Sequence, residues 1–227
     1  MLRIILLYSL LSFNLLANAE AEHYNRVDFQ VEAGREIAND LLVTILSVEI
    51  QDKLPARVDQ QINTVLNEAL RKASGFNTVK TSSGNLRTYP VYGKNNQIDT
   101  WRGHGEIHLE SRDFKAAGEL IMQLQTTMQL GGVQFTIAPD TRAQAENALI
   151  AEAIKTFQVR AEAIRAAVGA KSYKIVHFSI NSSGMPPPYP MAMMRGAAMA
   201  EKVITAPEFT GGESRMTVQI NGTIEAQ

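Results

Sequence analysis

Residues 27–33 alternate apolar and polar side chains, with Val27, Phe29 and Val31 on one face, the period of a half-buried strand. Residues 41–50, LLVTILSVEI, are mostly apolar and β-branched, which predicts a strand deeper in a sheet. The intervening residues 34–40 read as a hairpin connection. Pro55 then opens a helix where proline forfeits no hydrogen bond. Val58, Ile62, Val65, Ala69 and Ala73 recur at steps of three and four as its apolar face, and Gly75 is placed to end it in a left-handed conformation. The next strands span 79–92 and 98–111 and pair around Gly93-Lys94-Asn95-Asn96. A second helix starts near Asp113, with Phe114, Ala117, Ile121, Leu124 and Met128 as its stripe and Gly131-Gly132 as its stop. Residues 133–137 form a short strand. Pro139-Asp140 begins the longest helix, which ends at Gly169. In it Ile150, Ile154, Phe157, Ala161, Ile164 and Val168 form a seam of about two heptads, shorter than a coiled coil needs. The seam predicts a helix lying across a sheet. The last strands cover 173–180 and 216–224. This order of elements implies an α+β fold, its sheets covered on one face by helices.

The first residues read as an address. Arg3 supplies a positive end, residues 4–16 an apolar run, and Ala17-Asn18-Ala19 a small-x-small cleavage site, so 1–19 is expected to be a signal peptide cut after Ala19. That run is shorter than the roughly 20 residues a bilayer span needs. The chain has no cysteine, which removes disulfides, thiol nucleophiles, thiolate metal sites and lipidation on cysteine. A soluble periplasmic or secreted protein is expected, with no membrane-spanning segment once the signal is removed. The 22 Lys and Arg against 23 Asp and Glu argue against nucleic acid, which demands a clustered basic face. Residues 182–200, SSGMPPPYPMAMMRGAAMA, form a Pro/Met-rich loop whose proline run cannot enter a central strand.

Chemistry is sparse. His104 and His108 are four apart, but on a strand that spacing separates them by about 13 Å, too far to share an ion directly. His23 falls in the N-terminal region, and His177 reads as a strand residue. Glu106 and Glu110 alternate with His104 and His108 as a solvated face would. Gly103-His104-Gly105 has half of a dinucleotide fingerprint, without the third glycine or a following helix. Met185, Met191, Met193, Met194 and Met199 are soft thioethers; Met191, Met193 and Met194 suit Cu(I) as an alternative, but the expectation is that flexible Met and Pro side chains pack into a partner subunit or leave the loop without fixed structure. Trp101 and Arg102 are of the types that carry interface energy, although a tryptophan packed at a sheet edge beside a stacked or solvated Arg102 is the favoured expectation; Tyr89 and Tyr92 lie just across the turn, where an aromatic cluster is compatible with either. A hydrolase would need polar groups converging in a pocket at Tyr89, Trp101 and His104. No catalytic motif, resident metal or cofactor is read from the chain, and no small-molecule ligand is identified.

Residues 88–114, TYPVYGKNNQIDTWRGHGEIHLESRDF, together with the opening strands, the helix after Pro55, the approach to Pro139-Asp140, Arg160-Ala161 and the Pro/Met loop, resemble the SIMPL-domain family of exported bacterial proteins. Ala38-Asn39-Asp40 departs from the Pro-Asp more usual there. The resemblance covers nearly all of 20–227 and implies SIMPL-like mixed sheets covered by helices, including one long helix near 140–169. It also implies self-association, hence a homo-oligomer, and a loose link to envelope and oxidative-stress physiology. It brings no agreed reaction and no catalytic residues, so a non-enzymatic protein is expected. Trp101, Arg102, Tyr89, Tyr92 and Met185 are the interface candidates.

Overall fold

A computed structural model describes residues 25–183 and 209–227. The proposed signal segment 1–19, His23, and the stretch 184–208 with Met185, Met191, Met193, Met194 and Met199 lie outside the described residues. The elements run β1 (Arg26–Ala38), β2 (Leu41–Asp52), α1 (Pro55–Ala73), β3 (Val79–Tyr92), a 3-10 turn (Lys94–Asn96), β4 (Ile98–Ser111), α2 (Phe114–Leu124), β5 (Gln129–Thr136), α3 (Pro139–Ala167), β6 (Tyr173–Ser183) and β7 (Glu213–Ala226). They build two antiparallel sheets, β1-β7-β6 and β3-β4-β2-β5, and the fold is α+β.

Each sheet has its own core. Leu42, Leu46, Ile107 and Leu109 point from the four-stranded sheet onto α1 and α2, meeting Val58, Ile62, Leu120, Ile121 and Leu124. Each such buried side chain stabilises the fold by about 1.5–3 kcal/mol. Gly103 and Gly105 of β4 lie directly beneath α1. A Cβ on Gly103 would collide with Ile62 Cδ1 and Val58 Cγ1, and one on Gly105 would lie 2.8 Å from Ile62 Cγ2. The half-fingerprint Gly103-His104-Gly105 is thus a seat for a closely packed helix.

In the three-stranded sheet, Val31, Ala33, Met216, Val218, Ile220 and Ile224 face α3. The α3 stripe is Leu149, Ala153, Phe157 and Ala161, spaced by four throughout. This corrects the expected seam. Ile150, Ile154 and Ile164 flank the stripe, and Val168 is 57% exposed. A spacing of four drifts around the helix by about 40° per step, and Ala153 and Ala161 let the backbone approach the strands closely. The Phe157 ring stacks on Phe29 at 4.5 Å. It rests over Gly222, where an added Cβ would lie 2.6 Å from Phe157 Cε2.

Three further expectations are corrected. Residues 34–40 make no hairpin: β1 pairs along its whole length with β7, and the chain crosses between sheets at Asn39-Asp40. Buried Asn39 fixes that crossing, donating from its backbone N–H to Gly212 O (3.0 Å) and from Nδ2 to Gly211 O (2.9 Å). Its Oδ1 accepts from Ser214 Oγ at 2.7 Å. Gly75 is not left-handed; α1 ends at Ser74 in ordinary right-handed backbone. Finally, α2 stops at Leu124, Met128 is buried in the following turn, and Gly131-Gly132 belong to β5. At that point β2 and β5 shift register, which two glycines accommodate.

The start of α3 is capped from a distance. Ala138 occupies the cap position and has no side-chain acceptor. The Asp40 carboxylate instead takes the Ala138 N–H at 2.7 Å and the Thr141 hydroxyl at 2.6 Å, with Arg112 Nε 3.7 Å away. Arg112 also pairs with Asp140. Partial burial pushes the Asp40 carboxyl up, but these donors and the Arg112 charge outweigh it and hold it below the usual value.

Candidate functional site

Among the described residues the four-stranded sheet has one face under helices and one face without them, and β4 distributes its side chains between the two by strand alternation. Trp101, Gly103, Gly105, Ile107 and Leu109 point to the helices. Arg102, His104, Glu106, His108 and Glu110 point to the open face. Trp101 packs against the α1/α2 core, partly buried. The adjacent Arg102 projects oppositely, its Nη2 3.3 Å from Gln51 Oε1. Arg102 Nε lies 3.0 Å from Glu49 Oε1, an ion-pair distance without the alignment of a hydrogen bond.

The centre of the open face is a row of three. His104 Nε2 lies 2.8 Å from Glu106 Oε1, and His108 Nε2 lies 3.4 Å from Glu106 Oε2. An ionised carboxylate only accepts, so both imidazoles donate through Nε2. The backbone N–H of Asn85 adds a third donor to Oε2 at 3.3 Å. The His104 hydrogen bond is the main influence holding Glu106 below the usual carboxylate value, against the upward push of partial burial. Asn85 belongs to a bulge in β3, where the register slips between Ser83 and Leu86. Gly84, in that bulge, lies directly over the row: an added Cβ would sit 2.5 Å from His108 Nε2 and 2.8 Å from Glu106 Cβ.

The row runs along β4, and the Asn85 N–H ties its carboxylate to β3, so the group clamps the two strands at that one point. The two imidazoles reach inward to one carboxylate and spend their Nε2 donors on it. Among the described residues no group of three or more His, Cys, Asp or Glu is arranged to hold a metal ion. The alternation of His104, Glu106 and His108 was readable as one face, but their joint hydrogen bonding to Glu106 and the closure by Gly84 were not. A glycine inside a strand run, Ser83-Gly84-Asn85, is the signal that marks such a bulge.

Trp101, Tyr89 and Tyr92 do not form an aromatic cluster. Tyr89 is opposite Arg102 in the register, so it shares the open face, and the Arg87 guanidinium lies 5.8 Å from its ring centroid. The ring pairs recorded among the described residues are phenylalanines elsewhere: Phe29–Phe157, Phe157–Phe178, Phe114–Phe135 and Phe135–Phe209. Tyr89, Trp101 and His104 do not converge either, because Trp101 faces away from the other two. The depressions of about 560 and 730 Å³ beside α1 are lined by residues such as Ile50, Arg57, Gln60 and Thr100, and include none of these three.

The far end of the β3–β4 hairpin is different in kind. The pairing of β2 with β4 stops at Asp52 opposite Trp101, so among the described residues Ile98 and Thr100 pair with β3 alone and the hairpin overhangs the sheet. Tyr92 and Ile98, cross-strand neighbours on the overhang, are 57% and 49% exposed. Among the described residues no helix is long and apolar enough to cross a membrane.

Residues 27–224 match a family model described as SIMPL, protein of unknown function (DUF541). A comparison with curated proteins finds no match.

Proposed function

Because the chain belongs to the SIMPL family, which carries no established reaction, we propose that it works by assembling with itself rather than by catalysis. The observation that carries this reading is the overhanging β3–β4 hairpin, an arm that offers Tyr92 and Ile98 to solvent, with Tyr89 and Arg102 nearby on the open face. Aromatic side chains and arginine supply most interface energy when buried at a partner. Trp101 acts from behind, bracing the base of the arm against the helical core. Met185 is a further contact candidate in this reading.

The setting is the cell envelope. A leader over 1–19, cut after Ala19, would deliver residues 20–227 as one domain to the periplasm or outside the cell. The role there is envelope or oxidative-stress protection, which rests on the family resemblance. The test is light scattering after size exclusion on residues 20–227, beside the double variant Tyr92→Asp/Ile98→Asp. The wild type should elute as an oligomer and the variant at lower mass with unchanged circular dichroism. A variant that keeps the wild-type mass would refute the arm as a contact.

A second reading is a periplasmic Cu(I) protein, favoured by the placement of Met191, Met193 and Met194 within four residues. Replacing all three by Leu should then abolish Cu(I) uptake while leaving the fold intact.

A further inference from the structure

Among the described residues the two sheets end in four edge strands, β1 and β6 in one, β3 and β5 in the other. Unpaired edges invite other strands, and three of these four carry the usual deterrents. Strand β1 is studded with Arg26, Asp28, Glu32, Arg35 and Glu36. Strand β3 is interrupted by the Gly84-Asn85 bulge and by Pro90. Strand β5 is eight residues long and contains Gly131-Gly132.

Strand β6 has a bulge at Val176 near its start, where its register with β7 slips between Ile175 and His177, but is otherwise unlike them. Its eleven residues, YKIVHFSINSS, include no proline, no acid and a single Lys or Arg, Lys174. Ile175, Val176, Phe178 and Ile180 are 37–41% exposed. Ile175, Phe178 and Ile180 lie opposite Ile224, Gly222 and Ile220, so they continue the face that packs on α3. The Phe178 ring is 6.1 Å from Phe157, within the core cluster. The apolar layer thus runs out to the sheet edge and stops there uncovered among the described residues.

We propose that β6 pairs antiparallel with β6 of a second copy across a two-fold axis, joining two three-stranded sheets into one of six strands. This rests on the reading of the chain as self-associating, but uses a surface separate from the β3–β4 arm. Three observations favour a second copy as the occupant. An edge of unpaired backbone groups demands a strand, and a two-fold axis makes a strand antiparallel to itself. The only charged side chain among Lys, Arg, Asp and Glu, Lys174, sits near one end, so antiparallel pairing carries the two lysines to opposite ends with no like charges opposed. With the axis at Ser179, Phe178 of each copy faces Ile180 of the other, an aromatic on a β-branched residue, and the two α3-side cores become continuous.

The chain has no native thiol, so single cysteines report this contact cleanly. Ser179→Cys places two sulfurs at the axis, where opposed Cα atoms about 4.5–5.5 Å apart are within disulfide reach. Lys174→Cys is the control, because its two copies would be about 33 Å apart at about 3.3 Å per residue. Mild oxidation of residues 20–227 should convert most of Ser179→Cys to a disulfide-linked dimer on a denaturing gel and leave Lys174→Cys uncrosslinked. Adding Tyr92→Asp/Ile98→Asp should leave that crosslink in place. Ser179→Cys that stays uncrosslinked while the wild type is an oligomer overturns the β6 pairing and spares the assembly reading. That is also the result expected if residues 184–208 of the same chain cover the edge. A monomeric wild type together with an uncrosslinked Ser179→Cys overturns both.

Discussion

Replacing Glu106 by Gln keeps the shape of the side chain and removes its charge. In the folded protein the carboxylate takes three donors: His104 Nε2 at 2.8 Å, Asn85 N–H at 3.3 Å and His108 Nε2 at 3.4 Å. A glutamine can accept with one oxygen only, and its amide turns a donor towards another donor. Hydrogen bonds to a charged group contribute about 1.5–3 kcal/mol each, but two of these three are long and the Glu106 side chain is 22% exposed. The expected loss at neutral pH is therefore about 1–3 kcal/mol in all, or about 2–4 °C in Tm per kcal/mol for a chain of this size. Glu106 is held below its ordinary value of 4.5, so its contribution is complete above that pH and is lost as pH falls through the lowered value. Urea titrations of wild type and Glu106→Gln at pH 7 and at successive values below 4.5 measure the gap. It should be constant at the upper end and close on acidification. A gap under about 0.5 kcal/mol at pH 7, the size of an ordinary surface substitution, would show that the clamp contributes nothing.

Gly103→Ala should lower stability by about 1–3 kcal/mol, because the new methyl meets two fully buried side chains of α1. Combining it with Val58→Ala/Ile62→Val should recover part of that Gly103→Ala cost, read as a coupling energy in a thermodynamic cycle. Asp40→Asn should cost about 1 kcal/mol, the scale of a helix cap. That cost should be present above pH 3.8 and fade as acid protonates the wild-type carboxyl, whose titration lies below 3.8. Amide exchange should localise the effect to the first turn of α3.

Local chemistry made much of this fold readable. Pro55 and Pro139 both sit at the first helical positions, and the β3–β4 hairpin matches its expected bounds because its strands are adjacent in sequence and alternate cleanly. The partner of β1 was hidden for the opposite reason. Val27 pairs with Ile224 at the other end of the chain, and nothing near residues 34–40 encodes that choice. Gly75 and Gly131-Gly132 misled because glycine also serves strand bulges and plain turns. In the α3 seam, several registers of Ile, Ala and Phe fit a helical period, and the crossing of helix over sheet selects among them. For the candidate surface, alternation placed Arg102, His104 and Glu106 on one face. It equally put Trp101 on the other, which separates the Trp101-Arg102 pair that adjacency in sequence suggested. The length of β4 beyond β2, which makes the hairpin an arm, depends on where β2 turns into α1 and has no signature inside 88–111.

We propose that residues 20–227 assemble through their own surfaces. The most direct measurement is the native mass spectrum of residues 20–227, with and without stoichiometric Cu(I). A discrete oligomer whose mass distribution is unchanged by copper is the predicted result. A monomer that takes up one copper ion would contradict it and make this a metal-handling protein.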